Sequence, residues 1–416
     1  MFAGDTAELL PEAMARASTY ARDEALHDLL ARLRSQAPLH RIETEDYEPF
    51  WLVTRHADIL AIEKDVDRFI NAPRQALLSL PQQAATRALS GGAEPGQMMR
   101  NVAGMDGMDH RAYRDIVQSY FTPKGLAEVV RGIDGLARDY VDRMAGHNGE
   151  CDFAQIAMSF PLRVIMQMLG VAPEDEPMML RMTQQTLTSE DPEFRQEGGP
   201  LAALMEAFGH FGAIVADRRV NPRSDLASVI ANAKIHGDYL PMPDILGYFF
   251  AVSTAGHDTT SYALTGGMLA FLEHPEAWEK LRADPSLMPS AVEEVLRWTT
   301  PVKHFCRTAT QDCEMHGQQI RAGDIIMLSY PSANRDADLF DDPFAFRIDR
   351  KPNRHLAFGT GPHHCLGQHL ARFELAAFFR ELLGRVDHIE LAGTPRRTEG
   401  SFVSGVKYLP VRYQMR

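Results

Sequence analysis

The residues best spaced to do chemistry lie in the stretch Phe358-Gly-Thr-Gly-Pro-His-His-Cys-Leu-Gly367. A cysteine thiolate is a nucleophile and a soft metal ligand, and its surroundings decide whether it exists. Gly359 and Gly361 permit a tight turn with unusual dihedrals ahead of Cys365, and Gly367 removes side-chain bulk just after it. Such a backbone holds the sulfur out against something flat and large. A strong helical pattern begins just beyond, so backbone N–H groups at its start would face the sulfur and favour thiolate over thiol. Two other readings compete: a buried cysteine acting as a small hydrophobe, and a zinc site made of His363, His364, Cys365 and His369. Neither requires the flanking Phe358 or the three glycines.

A second candidate, Ala255-Gly-His-Asp-Thr-Thr260, places polar groups in the middle of the most apolar stretch, Ile245 to Leu272. Gly256 weakens a helix centre and the Thr259 or Thr260 hydroxyl competes for backbone carbonyls, which allows a local bulge or kink; the other reading is a helix with a packing glycine and a few satisfied polar residues. His257 reads as a packing residue of the helix face. A third segment, Ser290 to Trp298, opens with Ser290 three residues before Glu293, a capping-box spacing. Glu294 and Arg297 follow at i, i+3, which puts carboxylate and guanidinium on one face.

The elements that position these groups are mostly helical. Apolar residues recur at three- and four-residue spacing over Ala21 to Gln36, Leu126 to Ala145, Phe153 to Leu169, Leu201 to Arg219, Asp244 to Glu273, Pro289 to Trp298 and Gly367 to Leu383. Strand-like pieces are short: Pro49 to Thr54, Gln318 to Ala322 with Asp324 to Leu328, and Tyr408 to Tyr413. Neither a repeat nor a Pro/Ser/Gly linker divides the 416 residues, so the expectation is one mainly α (α+β) domain, 1–416, with small peripheral sheets. Asn71 to Gly104, with Ser90 to Gly96, and Thr188 to Pro200 read as mobile surface segments, either covers of a site or simply tolerated loops.

Composition narrows the function. With 43 Lys plus Arg against 56 Asp plus Glu, the net charge of -13 argues against a phosphate-tracking surface and so against nucleic acid. The start lacks the basic and apolar regions of a signal peptide. His257 and Asp258 would be costly in a bilayer, so Ile245 to Leu272 reads as a buried helix and no membrane is expected. Four cysteines without a CxxC pair suit a reducing cytoplasm.

Phe358-Gly359-x-Gly361-x-His363-x-Cys365-x-Gly367 resembles the haem-binding loop of the cytochromes P450, with every signature position present. The resemblance implies a P450 fold, a large helical domain with small peripheral sheets, carrying haem b, with Cys365 as the axial iron ligand. Phe358 packs beside it, Gly359 and Gly367 shape the loop, and His363 reaches a propionate. About seventy residues earlier, Glu294 and Arg297 are similar to the family's Glu-x-x-Arg structural pair behind the haem. Its usual Arg partner, in a Pro-x-Arg-Phe element, is replaced here by Ala345 of Pro343-Phe-Ala-Phe346, leaving Arg347 or Arg350 as substitutes. Ala255 to Thr260 resembles the oxygen-activation segment, which makes Asp258 and Thr259 a proton relay and places Ala255 at the haem. His110, Arg114 and Arg307 match the propionate partners. Phe249, Val252, Ala255, Val302, Phe305, Phe402 and Val403 line the substrate pocket by the same match.

The wider wording, such as Arg297-Trp-Thr-Thr-Pro-Val-Lys303, is similar to the α-terpineol hydroxylase branch. The implied activity is hydroxylation, with dioxygen, of a compact apolar molecule: a monoterpenoid or alkylaromatic first, a steroid or polycyclic second. With no dinucleotide-binding glycine motif after a strand, electrons must come from outside, by this resemblance from a 2Fe-2S ferredoxin and its NAD(P)H-dependent reductase. Arg111, Arg114 and Arg372 are the expected basic patch for it. A peroxide-driven peroxygenase and a non-catalytic haem sensor are the rival functions.

Overall fold

The computed structural model describes residues 9–89, 100–195 and 199–416. At its centre runs one unbroken helix, Met242–Glu273, buried over most of its circumference. Its sequence is apolar all round, as a helix enclosed by others must be. Phe153–Leu169, Glu176–Leu187, Met288–Thr299 and Gln368–Arg385 pack against it. The helix runs without a break through Gly256. A Cβ there would lie 2.4 Å from Ile165 Cδ1, so this glycine lets the central helix and Phe153–Leu169 approach closely.

All seven sequence-read helices form within about two residues of their expected ends. Helices that periodicity passed over are His56–Lys64, Leu80–Leu89, Gly107–Gln118, Glu176–Leu187, Leu226–Ala231, Pro275–Ala283 and the single turn Tyr330–Ala333. Glu176–Leu187 and Pro275–Ala283 begin with a proline in the first turn, which reads locally as a breaker yet suits a helix start.

Five strands make the main sheet, in the order Leu39–Ile42, Phe50–Val53, Ile325–Ser329, His304–Ala309, Phe69–Ile70. Phe50–Val53 pairs parallel with Ile325–Ser329; the other neighbours are antiparallel. Both faces are covered: Phe50, Leu52, Cys306, Ile325 and Met327 join one apolar cluster, while Trp51, Val53, Ile326 and Leu328 join another. This two-residue alternation explains four consecutive buried positions in Phe50–Val53. A second sheet places Pro410–Met415 between Val386–Leu391 and Glu150–Asp152.

The two segments expected to be mobile are partly built. Leu80–Leu89 is helical, while Ser90 to Gly96 lies outside the described residues. Thr188 and Asp191 are fully buried, with Asp191 accepting from Glu399 N at 2.9 Å and Lys407 Nζ at 2.7 Å. Glu190 accepts from Ser401 N at 2.6 Å, so the chain after Glu176–Leu187 is tied to the loop carrying Phe402. Among the described residues, one helix is long and apolar enough to cross a membrane by length and composition: Gly199–Val220, which lies along Glu176–Leu187.

Candidate active site

The cysteine loop is shaped from outside itself. Gly359 and Gly361 take positive φ values of 62° and 68°. A Cβ on Gly361 would stand 2.5 Å from the backbone oxygen of Glu63, in the helix His56–Lys64. Glycine is therefore required there twice, by dihedral and by space. Cys365 N donates to Phe358 O at 3.0 Å, closing the turn just before Gln368–Arg385 begins. Burial raises the Cys365 thiol, while N–H groups of Gly367 and Gln368 and the charges of Arg114 and Arg372 act the opposite way. The helix-start donors thus face the sulfur as the sequence implied.

All four cysteines are free. Cys306 is buried and pushed up to about 12, Cys151 to about 11, both chiefly by desolvation, and neither receives backbone N–H groups in this way. Cys365 borders a cleft of about 810 Å³ between the helix Gly107–Gln118 and its own loop, with His110, Arg114 and His363 on the rim. Among the described residues no group of three His, Cys, Asp or Glu side chains is arranged to hold a metal ion, which removes the zinc reading.

The residues expected around carboxylates converge on one side. The rings of His110 and His363 lie 4.0 Å apart, and His110 Nε2 is buried without a hydrogen-bond partner. His363 Nε2 is 3.6 Å from Asp106 Oδ1, while Asp106 accepts from the N–H groups of Asn71 and Ala72, both at 2.9 Å. Arg307 is held by Glu63, whose Oε1 lies 3.2 Å from Nη2 and also accepts from Tyr330 OH at 2.6 Å. The other Glu63 oxygen is buried and unpartnered. Arg114 stands beside His110 and His363 on the same cleft, and its Nη2 donates to the His364 carbonyl at 2.6 Å, bracing the cysteine loop. Glu63 was missed by the sequence reading; Glu63-Lys64-Asp65 is indistinguishable from a solvated helix end.

Behind the loop, Glu294 and Arg297 are fully buried and paired at 2.7 and 2.8 Å. The substitute for the missing arginine is Arg350, whose Nε lies 3.2 and 3.3 Å from the two Glu294 oxygens. Arg347 contributes its backbone N–H at 2.8 Å, and Asn353 Nδ2 donates at 3.0 Å. The capping box does not form: the helix starts at Met288, Ser290 Oγ donates to Leu287 O, and Glu293 binds Arg372 and His355. Arg372, its charge met by Glu293, stacks over Phe358 at 4.5 Å; of the expected basic patch Arg111 is exposed and Arg114 and Arg372 are half-buried.

On the central helix, Ala255 is exposed and Ala251, Val252, Gly256 and Thr259 partly so, while Ser253, Thr254, His257, Asp258 and Thr260 are buried, which marks an open space along one face. Thr259 Oγ1 donates to Ala255 O at 2.6 Å. Asp258 turns into the protein: it is fully buried, and burial pushes its carboxyl up to about 7. His257 is also fully buried, packed as expected, with Nε2 2.9 Å from Met158 O and Nδ1 2.8 Å from Thr183 Oγ1.

Of the expected pocket residues, Val302, Phe305 and Phe402 are partly exposed, and the Phe305 and Phe402 rings meet at 5.3 Å. Val403 is buried and bridges Val302 through the backbone. Phe249 is a core residue rather than a wall: it is fully buried, its ring 5.1 Å from Phe211. Because the central helix is apolar on every side, periodicity does not tell its cavity face from its core face.

Comparison with known proteins accords with this arrangement. Residues 204–414 match the cytochrome P450 family. Cytochrome P450-terp of a Pseudomonas species is 39% identical, over 98% of this chain and 99% of that protein. The chain belongs to the cytochrome P450 family. A steroid C26-monooxygenase of Mycolicibacterium smegmatis is 32% identical over 92% of this P450 and 90% of its own length. The crystal structure of a P450 from Novosphingobium aromaticivorans superposes with a TM-score of 0.91 at 40% identity, covering 97% of this chain and 98% of that one. A Mycobacterium marinum P450 in complex with pseudoionone gives 0.88 at 30% identity, with 99% of both chains covered. The protein is therefore a P450 monooxygenase whose cofactor is protoporphyrin IX haem. The residues present fit that group: a partly exposed Cys365 beside open space, an orphaned His110 nitrogen, and an exposed Ala255.

Proposed function

We propose that this P450 hydroxylates a compact, largely hydrocarbon substrate, a monoterpenoid or alkylaromatic, with electrons from a 2Fe-2S ferredoxin and its NAD(P)H-dependent reductase. The observation that carries the substrate reading is that the apolar residues Val252, Ala255, Val302, Phe305 and Phe402 all keep exposed surface. Such a wall gains affinity from buried apolar area, about 25 cal/mol per Å², and discriminates weakly among similar hydrocarbons. Identity to cytochrome P450-terp and likeness to the pseudoionone-bound structure support small substrates; the steroid C26-monooxygenases and a methyl-branched lipid omega-hydroxylase among the relatives support a larger second choice.

In this reading residues 1–416 act as one domain in the cytoplasm. Cys365 holds the iron, with Phe358, Gly359 and Gly367 shaping its loop. His110, His363 and Arg307 meet the propionates, and Arg114 supports them through the His364 carbonyl. Bound haem supplies the oxidising chemistry, which thiolate ligation promotes by pushing electron density to the iron. The protein's own part is to bind and orient the substrate against Val252 and Ala255, and to move protons from buried Asp258 across the Thr259 hydroxyl into the cavity. A peroxide-driven cycle would not need that relay.

The test is a parallel titration of α-terpineol, p-cymene, a fatty acid and a steroid, read from the visible spectrum, followed by turnover with ferredoxin and reductase. Binding and oxidation of the cyclic hydrocarbons is expected. Efficient oxidation of the fatty acid alone would overturn the substrate reading, and full turnover on peroxide without electron donors would overturn the ferredoxin reading.

A further inference from the structure

The buried group that the relay leaves unexplained is His257. Met158 O accepts only, so the 2.9 Å contact fixes a proton on Nε2 and leaves Nδ1 of the neutral ring as a lone pair. That lone pair faces two oxygens: Thr183 Oγ1 at 2.8 Å and Asp258 Oδ1 at 3.2 Å. Thr183 has another acceptor in Leu180 O at 3.1 Å. Asp258 has none: both its oxygens are buried without a hydrogen-bond partner. An ionised Asp258 would set its charge against the Nδ1 lone pair in a water-poor place, whereas a protonated Asp258 can donate to it.

We propose that His257 is a positioning residue for the proton relay, its Nδ1 accepting from the protonated Asp258 carboxyl and thereby keeping that acid loaded and oriented. This deepens the monooxygenase reading and rests on Asp258 being the relay acid. Neutral Nδ1 carries one lone pair, so when Asp258 donates to it Thr183 Oγ1, on Glu176–Leu187, gives its proton to Leu180 O instead, and the arrangement spans three helices.

The surroundings favour the loaded form. Burial raises Asp258 to about 7 and lowers His257 to about 4, so a proton shared by the pair sits on the carboxyl rather than on the imidazole, and the carboxyl is loaded below about pH 7. On the same helix, Tyr262 faces Asp258 with its hydroxyl engaged by Thr398 Oγ1 at 3.0 Å. Beyond Tyr262 lies Asp191, its charge met by Lys407 at 2.7 Å. From Phe153–Leu169 the group facing His257 is the Met158 carbonyl, and from Glu176–Leu187 the Thr183 hydroxyl.

The experiment compares the haem-loaded wild type with His257→Phe and His257→Gln. The ring of Phe retains volume but neither nitrogen; Met158 O and Thr183 keep fallback partners in Ser261 Oγ at 3.4 Å and Leu180 O. Gln restores an N–H and an acceptor. The carboxylic C=O infrared band, assigned by its loss in Asp258→Asn, is titrated against pH without substrate or redox partner. Removing an acceptor from the neutral acid should lower the midpoint by about one pH unit in His257→Phe, and His257→Gln should restore it. Product formed per nicotinamide consumed should lose its high-pH limb by the same shift. If His257→Phe does not fold, His257→Leu takes its place. An unmoved or raised midpoint overturns the proposal. A normal reduced carbonyl spectrum beside an unmoved midpoint leaves the monooxygenase reading intact, whereas failure of that spectrum in wild type would sink the broader reading first.

Discussion

Glu294→Ala removes one carboxylate from a place where two guanidinium groups depend on it. Arg297 loses its bidentate contacts at 2.7 and 2.8 Å and Arg350 those at 3.2 and 3.3 Å, while both remain buried. Their remaining bonds go to carbonyls, including Asn334 O, Pro343 O and Asp341 O, which solvate a cation without neutralising it. Breaking a buried pair by deleting one partner costs about 3–5 kcal/mol. An unfolding entropy near 2.1 cal/mol/K per residue gives about 0.9 kcal/mol/K for a chain of 416 residues unfolding together. The melting temperature should therefore fall by about 3–6 °C, a modest shift for a large loss of free energy. Scanning calorimetry at neutral pH measures it, and the Soret-to-protein absorbance ratio reports haem loading, which should drop in parallel. The effect should also vanish in acid. Burial opposes ionisation of Glu294, but Arg297 and Arg350 outweigh it and hold the carboxyl below its ordinary 4.5. A lowered folded pKa contributes stability above the unfolded value and loses it as pH falls below about 4.5. A melting temperature within 1 °C of wild type at neutral pH, with full haem loading, would refute the reasoning.

Other outcomes follow from the same geometry. Cys365→His should abolish the long-wavelength Soret band of the reduced carbonyl complex, while Cys306→Ser and Cys313→Ser should retain it; the converse pattern would reassign the ligand. Thr259→Ala removes the hydroxyl that meets Ala255 O at 2.6 Å, and should keep substrate binding while diverting reducing equivalents to peroxide; unchanged coupling would contradict its role. Asp258, raised to about 7 by burial, is loaded below that pH and empties above it, so coupling should fall as pH rises through about 7; a flat profile from pH 6 to 8.5 would count against it. Gly256→Ala puts a Cβ 2.4 Å from Ile165 Cδ1 and should destabilise by about 1–3 kcal/mol despite alanine's better helix propensity. Adding Ile165→Val, which deletes that methyl, should recover most of the loss in denaturant titrations.

The parts legible in sequence are those whose meaning is local. Glycines, a cysteine and a helix start in ten residues specify one turn, and an apolar run such as Phe153–Leu169 specifies one helix. Contacts between distant segments were not legible. Glu63 looks solvated until Arg307, Tyr330 and the cysteine loop close over it. Arg347 and Arg350 are equivalent as text; only the packed turn shows that one gives its side chain and the other its backbone N–H. Phe249 and Val252 are neighbours on a helix enclosed all round, and the ring of Phe211 decides which of them is core.

The cysteine loop takes its shape from a helix made far earlier in the chain. His56 Nε2 meets Arg354 O across 298 residues, and Gly361 closes against the Glu63 backbone over a similar span. During synthesis His56–Lys64 emerges long before Arg307, Tyr330 or Gly361 exists, so Glu63 remains in water and the mould for the loop stands open. Closing so long a loop draws on chain entropy that only the late contacts return. The cofactor cradle is thereby completed only by contacts about 298 residues apart, so haem capture is expected to follow those contacts rather than the early collapse of the helices.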